Sequence, residues 1–324
     1  MAGAKVGIIG NSHVGAHVAN ALLSQSLVSE LYLSDKDVKL CRAQVNDLLD
    51  AMSFYPHSAK VVECDDRYEE LADCDVIVNA AGHVAQAAES RDGELFITTD
   101  EAKTFAKRLA DAGFDGVWVS VANPNDVVAL AIQKLGNFDP YKVIGSGTTL
   151  DSSRFQHALS AKTGFDPQCI SALMLGEHGF DEFALWSHVS FGALTPEEVE
   201  ESLGISFDRD GLEEQARKGG YISMEGKRCT EYSIANGTVK IIKAVLNDTK
   251  IVTPVSTYMD GSAYGIKGIY SSLPCMVGKN GVEKVFVPNM SEQEITKWHA
   301  SSKHIADNVR QIDWLRELAG ELVD

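Results

Sequence analysis

Lys5-Val6-Gly7-Ile8-Ile9-Gly10-Asn11-Ser12-His13-Val14-Gly15 is the stretch that decides the fold. An apolar strand runs into a glycine-spaced turn, and the turn opens an amphipathic stretch, Val14–Gln25. Gly10 permits the tight turn. Gly15 lets the following helix press against the strand, and the free N–H groups of that helix's first turn face a pyrophosphate. The middle glycine of this fingerprint is replaced by Ser12. Its Cβ stands where the backbone normally approaches phosphate, while its hydroxyl is itself a hydrogen-bond donor. Asp35 follows 20 residues after Gly15, at the end of the next strand. A carboxylate there accepts from ribose hydroxyls and repels a 2′-phosphate, so the reading favours NAD over NADP.

Working outward, the first part of the chain alternates short apolar runs with longer amphipathic ones. Candidate strands are Lys5–Ile9, Glu30–Leu33, Ala59–Glu63, Val76–Asn79, Val117–Val121 and Lys142–Ile144. Helical stretches such as Val38–Met52 and Glu94–Ala112 lie between them. Parallel neighbours need a crossover of a dozen or more residues, so this rhythm predicts an α/β, doubly wound parallel (Rossmann) sheet over residues 1–147. After it, helical segments (Leu150–Lys162, Leu212–Lys218, Ile234–Leu246, Glu292–Leu318) mix with short β-like runs (Ile170–Leu175, Ile251–Thr257, Ile266–Pro274, Gly281–Val287). Lys279-Asn280-Gly281 signals a hairpin. Residues 148–324 are therefore expected to form an α+β substrate domain.

The 324 residues carry 29 Lys and Arg against 46 Asp and Glu, a net charge of −17. Such a field repels phosphate backbones and anionic lipids, which argues against nucleic-acid and membrane-surface partners. No apolar run approaches the roughly 20 residues that span a bilayer. Asn11, Ser12 and His13 interrupt the first apolar run too early for a secretory signal. The six cysteines are scattered without a paired motif, which fits reduced thiols in the cytoplasm and offers no metal-ligand spacing.

Three polar clusters sit at the ends of these elements: Ser90-Arg91, Asp151-Ser152-Ser153-Arg154 and Gly176-Glu177-His178-Gly179. Asp151 and Arg154, three apart, share a helix face, where they also suit a plain intrahelical ion pair. A histidine between glycines at a strand end suits proton transfer near neutral pH.

Together with Gly7–Gly15, Asn79–Arg91, Val121–Asp126, Gly145–Phe155 and Leu175–Gly179, these clusters make the chain resemble the lactate/malate dehydrogenase family. The stretches Glu213–Gly220 and Thr230–Ala235 extend the likeness, nearest to the L-2-hydroxyisocaproate and L-lactate dehydrogenase branch. The resemblance implies reversible hydride transfer between NADH and a small 2-oxo acid. It makes His178 the proton donor and acceptor, Asp151 its orienting carboxylate, and Arg91 the group that polarises the carbonyl. Arg154 would clasp the substrate carboxylate. Asn123 would help position substrate and nicotinamide, and Thr230 would line the side-chain pocket. Gly10, Ser12, His13, Val14, Gly15, Asp35, Ala81, Gly82 and Asn123 would contact NAD. Residues 82–93 would close over the site, and a homotetramer or dimer is implied.

Counted back from Arg91, Ala85 takes the family's substrate-discriminating position, where an arginine would select oxaloacetate. Malate dehydrogenase is therefore the second reading. From a different class, NAD-dependent glycosidases share the first domain but hold a metal with a cysteine and a histidine, and no cysteine adjoins His178. Two departures from the family pattern stand out. Ala87-Ala88 precede Glu89-Ser90-Arg91 where Pro-Gly is usual, and Phe180 follows His178-Gly179 where Asp or Asn is usual.

Overall fold

The computed structural model describes residues 3–82 and 94–322. The first strands and helices are β1 (Lys5–Ile9), α1 (His13–Ser24), β2 (Glu30–Ser34), α2 (Val38–Ala51), β3 (Lys60–Asp65) and β4 (Val76–Asn79). Next come α3 (Leu95–Asp111), β5 (Val117–Ser120), α4 (Asn125–Gly136), β6 (Val143–Gly145) and α5 (Thr149–Thr163). These six strands pair in the order β3-β2-β1-β4-β5-β6, all parallel, with the order reversing between β1 and β4. That is the doubly wound sheet the sequence predicts.

Both faces of this sheet are covered, which is why its strands read as continuous apolar runs rather than alternating ones. In β4, Val76 and Val78 belong to one core with Val18, Leu22 and Ile241. Ile77, between them, joins the opposite core with Phe105, Trp118 and Trp298.

The remaining elements are the short strands β7 (Ile170–Ser171), β8 (Met174–Leu175), β9 (Phe183–Ala184) and β10 (Ser190–Phe191), then α6 (Pro196–Leu203), α7 (Arg209–Lys227) and α8 (Tyr232–Asn247). β11 (Ile251–Asp260), β12 (Lys267–Gly278), β13 (Gly281–Val285), α9 (Glu292–Arg310) and α10 (Asp313–Ala319) complete the chain. β11 pairs antiparallel with β6 through Ser256 and Gly145, so β11–β13 extend the first sheet to nine strands. The Lys279-Asn280 turn does join a hairpin, with Gly281 at φ +89°.

Three elements differ from the sequence reading. The helix expected over Leu212–Lys218 runs on to Lys227, because Gly219-Gly220 lies inside it rather than ending it. The segment Glu292–Leu318 is two helices, broken where buried Ile312 is extended at φ −103°, ψ 98°. The run Ile170–Leu175 splits into two two-residue strands.

Candidate active site

The carboxyl ends of β1, β2, β4 and β5 face one rim, where the strand order reverses and an open α/β sheet forms its binding crevice. Gly10 sits at φ +89°, and a Cβ there would lie 2.6 Å from the main chain of Ala80 and Ala81 after β4. A Cβ on Gly15 would fall 1.9 Å from the carbonyl oxygen of Gly10. No side chain fits at either position.

Ser12 is the N-cap of α1, yet its hydroxyl makes no capping bond, which leaves it available to a ligand. His13 and Ser12 are exposed, and Val14 is half-buried. Asp35 does more than face the crevice. Its Oδ2 accepts the Asn11 N–H at 2.6 Å and its Oδ1 the Asp37 N–H at 2.9 Å, so it also pins the turn. The neighbouring Lys36 is drawn away to Glu101, 2.6 Å distant.

On the other side of the switch point, the Ala81 N–H donates to Asn79 Oδ1 at 3.2 Å, with Gly82 exposed beyond it. The Asn123 carbonyl oxygen is held by the Thr98 hydroxyl at 2.6 Å. Its side-chain Oδ1 is buried without a hydrogen-bond partner among the described residues. A buried acceptor in that state costs about 1–3 kcal/mol, so it calls for a donor from a ligand such as a carboxamide. The glycine cradle, the uncapped Ser12 and this orphan acceptor fit a dinucleotide.

The second group gathers around Asp151, which is fully buried in the first turn of α5. Its Oδ2 lies 2.6 Å from His178 Nδ1, and its Oδ1 accepts from Arg154 Nη1 at 2.9 Å. One carboxylate thus joins two side chains 24 residues apart, and the intrahelical pair and the histidine contact are made at once. A carboxylate only accepts, so Nδ1 carries a proton and Nε2 is the atom left to exchange one. Arg154 keeps Nε and Nη2 as a parallel fork. Its position is set from behind, because α7 packs so closely that a Cβ on Gly220 would lie 2.9 Å from Nη2.

The loop carrying His178 is fixed on three sides. Gly176 exchanges backbone hydrogen bonds with Ser272 of β12, at 3.1 and 3.0 Å. The Glu177 N–H donates to Ser301 of α9 at 2.7 Å, and the His178 N–H to Asp126 Oδ2 at 3.0 Å. Burial pushes Asp126 up to about 6, opposed first by its hydrogen bond from Ser256. Burial, then the nearby Asp126 charge, pushes Glu177 up to about 7. The Glu177 carboxylate folds back to accept the N–H groups of Phe180 and Asp181, at 2.9 and 3.0 Å. Phe180, the departure from the family pattern, is held by its backbone while the residue is 45% exposed.

Sequence reasoning missed three residues. Asp126 and Glu177 lie within quoted motifs, but the backbone N–H groups their carboxylates accept from are invisible without the fold. Gly220 closes the stretch Glu213–Gly220, with no hint in the sequence that it faces Arg154. Arg91 and Ala85 lie outside the described residues. Thr230 is half-buried in the connection between α7 and α8.

Comparison with known proteins bears on this geometry. The lactate/malate dehydrogenase NAD binding domain matches residues 4–145, and the alpha/beta C-terminal domain of the same family matches residues 148–313. This chain belongs to the lactate/malate dehydrogenase family. Among curated members of that family, the L-lactate dehydrogenase of Fusobacterium nucleatum is 35% identical over 295 residues, covering 90% of this chain and 91% of its own. L-lactate dehydrogenase 2 of Enterococcus faecalis is 32% identical, with coverage of 90% and 91%. Among solved structures, a lactate dehydrogenase from a Medee basin deep-sea metagenome superposes with a TM-score of 0.90 at 29% identity, covering 97% and 100% of the two chains. Cryptosporidium parvum malate dehydrogenase also gives 0.90, at 25% identity and coverage of 96% and 99%. As a member of the lactate/malate dehydrogenase family, the chain is an oxidoreductase of the NAD-dependent hydroxy-acid dehydrogenase class. No helix among the described residues is long and apolar enough to cross a membrane.

Proposed function

We propose that the protein is an NAD-dependent L-2-hydroxyacid dehydrogenase acting on 2-oxo monocarboxylic acids with apolar side chains, of the L-2-hydroxyisocaproate or L-lactate dehydrogenase type. The observation that carries the reading is the Arg154–Asp151–His178 chain, with contacts of 2.9 and 2.6 Å. In it, Arg154 binds the carboxylate of the 2-oxo acid through its fork. His178 Nε2 gives a proton to the ketone oxygen during reduction and takes it back during oxidation. Asp151 keeps the imidazole in the right tautomer and stabilises its cation. NAD supplies the hydride chemistry when bound. Arg91 polarises the ketone as charge develops on oxygen, and Asn123 orients the reacting groups.

Ala85 and Thr230 set the side-chain preference. With no cation at Ala85, the second carboxylate of oxaloacetate would be buried unpaired, whereas each apolar methylene gains about 0.8 kcal/mol on burial. This disfavours malate. Residues 1–147 then serve the cofactor and 148–324 the substrate, in a cytoplasmic homo-oligomer that is a tetramer or dimer.

His178→Gln tests the assignment. NADH oxidation with 2-oxoisocaproate should fall by about 10²–10⁴ in kcat, the range of general acid–base catalysis, with NADH binding by fluorescence unchanged. Retained turnover would remove His178 from the chemistry.

A further inference from the structure

His13 opens α1 at the cofactor turn, while Cys229 and Glu231 flank Thr230 between α7 and α8. His13 and Glu231 are 218 residues apart in the chain, yet their side chains meet. Glu231 Oε1 lies 2.8 Å from His13 Nδ1 and accepts the Cys229 thiol at 3.2 Å. The imidazole nitrogen, the sulfur and the carboxylate oxygen all lie within 4.8 Å of one another. Lys227 takes the other carboxylate oxygen, Oε2, at 2.7 Å, and so leaves Oε1 to the other two.

One nitrogen, one sulfur and one oxygen form a donor set for a borderline-soft cation. Calcium and magnesium want oxygen alone. Zinc bonds of roughly 2.0–2.3 Å in a tetrahedron place ligand atoms roughly 3.3–3.8 Å apart, so these atoms need shift only by about an ångström. His13 is exposed, which gives an entry path, and Cys229 is buried, which shields the sulfur. The net charge of −17 raises the local concentration of cations.

We propose that His13 Nδ1, Cys229 Sγ and Glu231 Oε1 form a site for one zinc-class divalent cation, completed by water, that clamps the cofactor turn to the α7–α8 connection. On binding, the thiol proton leaves to solvent, a metal–sulfur bond forms, and no electron is transferred. The site is separate from His178 and does not depend on the proposed substrate.

The test uses the full chain stripped with a chelator and returned to buffer. Zinc is titrated against a chromophoric chelator, and cobalt binding is followed by absorption. One zinc equivalent should bind, the Tm should rise with zinc, and cobalt should give a thiolate charge-transfer band. Cys229→Ser should lose the band and bind zinc at least about tenfold more weakly, whereas Cys169→Ser, which removes the exposed thiol, should keep both. If Cys229→Ser does not fold, His13→Gln at the exposed end of α1 should show the same tenfold loss. No band in the wild type, or unchanged zinc affinity in the folded variant, would overturn the site.

Discussion

Ser12 is the residue at which the chain departs most clearly from the dinucleotide fingerprint, and its environment says how. Its hydroxyl does not cap α1, although serine is a favoured capping residue. The oxygen therefore stands at a helix N-terminus with no capping bond among the described residues, which is where a phosphate oxygen is best stabilised. Replacing the Ser12 side chain by alanine removes one such bond, of about 1 kcal/mol, without the conformational freedom a glycine would add. Ser12→Ala should weaken NADH binding about fivefold, measured by fluorescence titration, with the Tm unchanged. Tighter binding would show that the serine only obstructs.

The same scale shows what was legible in the sequence. Asp35 and His178 were singled out because a carboxylate after β2 and a histidine between glycines stand out by residue type and place. That Asp35 also holds the Asn11 N–H was not legible, since a side-chain-to-backbone bond across 24 residues leaves no pattern. Asp126, which holds the backbone of His178, was hidden for the same reason.

Among the elements, α7 teaches most. Glycine lowers helix stability by roughly 1 kcal/mol against alanine, so Gly219-Gly220 read as a place to stop. The helix continues because those glycines let its backbone lie on the Arg154 guanidinium, and their lost propensity is offset by packing. Gly220→Ala would place a methyl 2.9 Å from Nη2 and push the fork off its line. KM for the 2-oxo acid should rise at least about tenfold while KM for NADH holds, since a misplaced bidentate contact loses a charge-assisted bond of about 1.5–3 kcal/mol. An equal rise in both would point to a general loosening of α7. By contrast, the strands of the parallel sheet were legible nearly to the residue, because burial on both faces leaves unbroken apolar runs bounded by turns. The break at Ile312 carried no glycine or proline and stayed invisible.

On the scale of the whole molecule, the strands β11–β13 of the second part of the chain join the parallel strands of the first in one nine-stranded sheet, stitched where Ser256 meets Gly145. That stitch matters for function. Asp126 at the start of α4 accepts from Ser256 of β11 as well as from the His178 backbone, so the loop carrying His178 is anchored to the NAD-binding half of the chain. Through these bonds the loop carrying His178, and with it the Arg154–Asp151–His178 chain, is tied to the half of the chain that holds the dinucleotide turn. What the site accepts depends on charge. On the proposed reading, one guanidinium fork for one carboxylate and an uncharged Ala85 favour a substrate with a single carboxylate and an apolar tail. The most direct test compares kcat/KM for 2-oxoisocaproate, pyruvate, phenylpyruvate and oxaloacetate in NADH oxidation. A monocarboxylic acid, 2-oxoisocaproate or a similar one, should exceed oxaloacetate by at least about a hundredfold, close to 2.7 kcal/mol of transition-state binding. Oxaloacetate turned over as well as or better than every monocarboxylic acid would contradict the account.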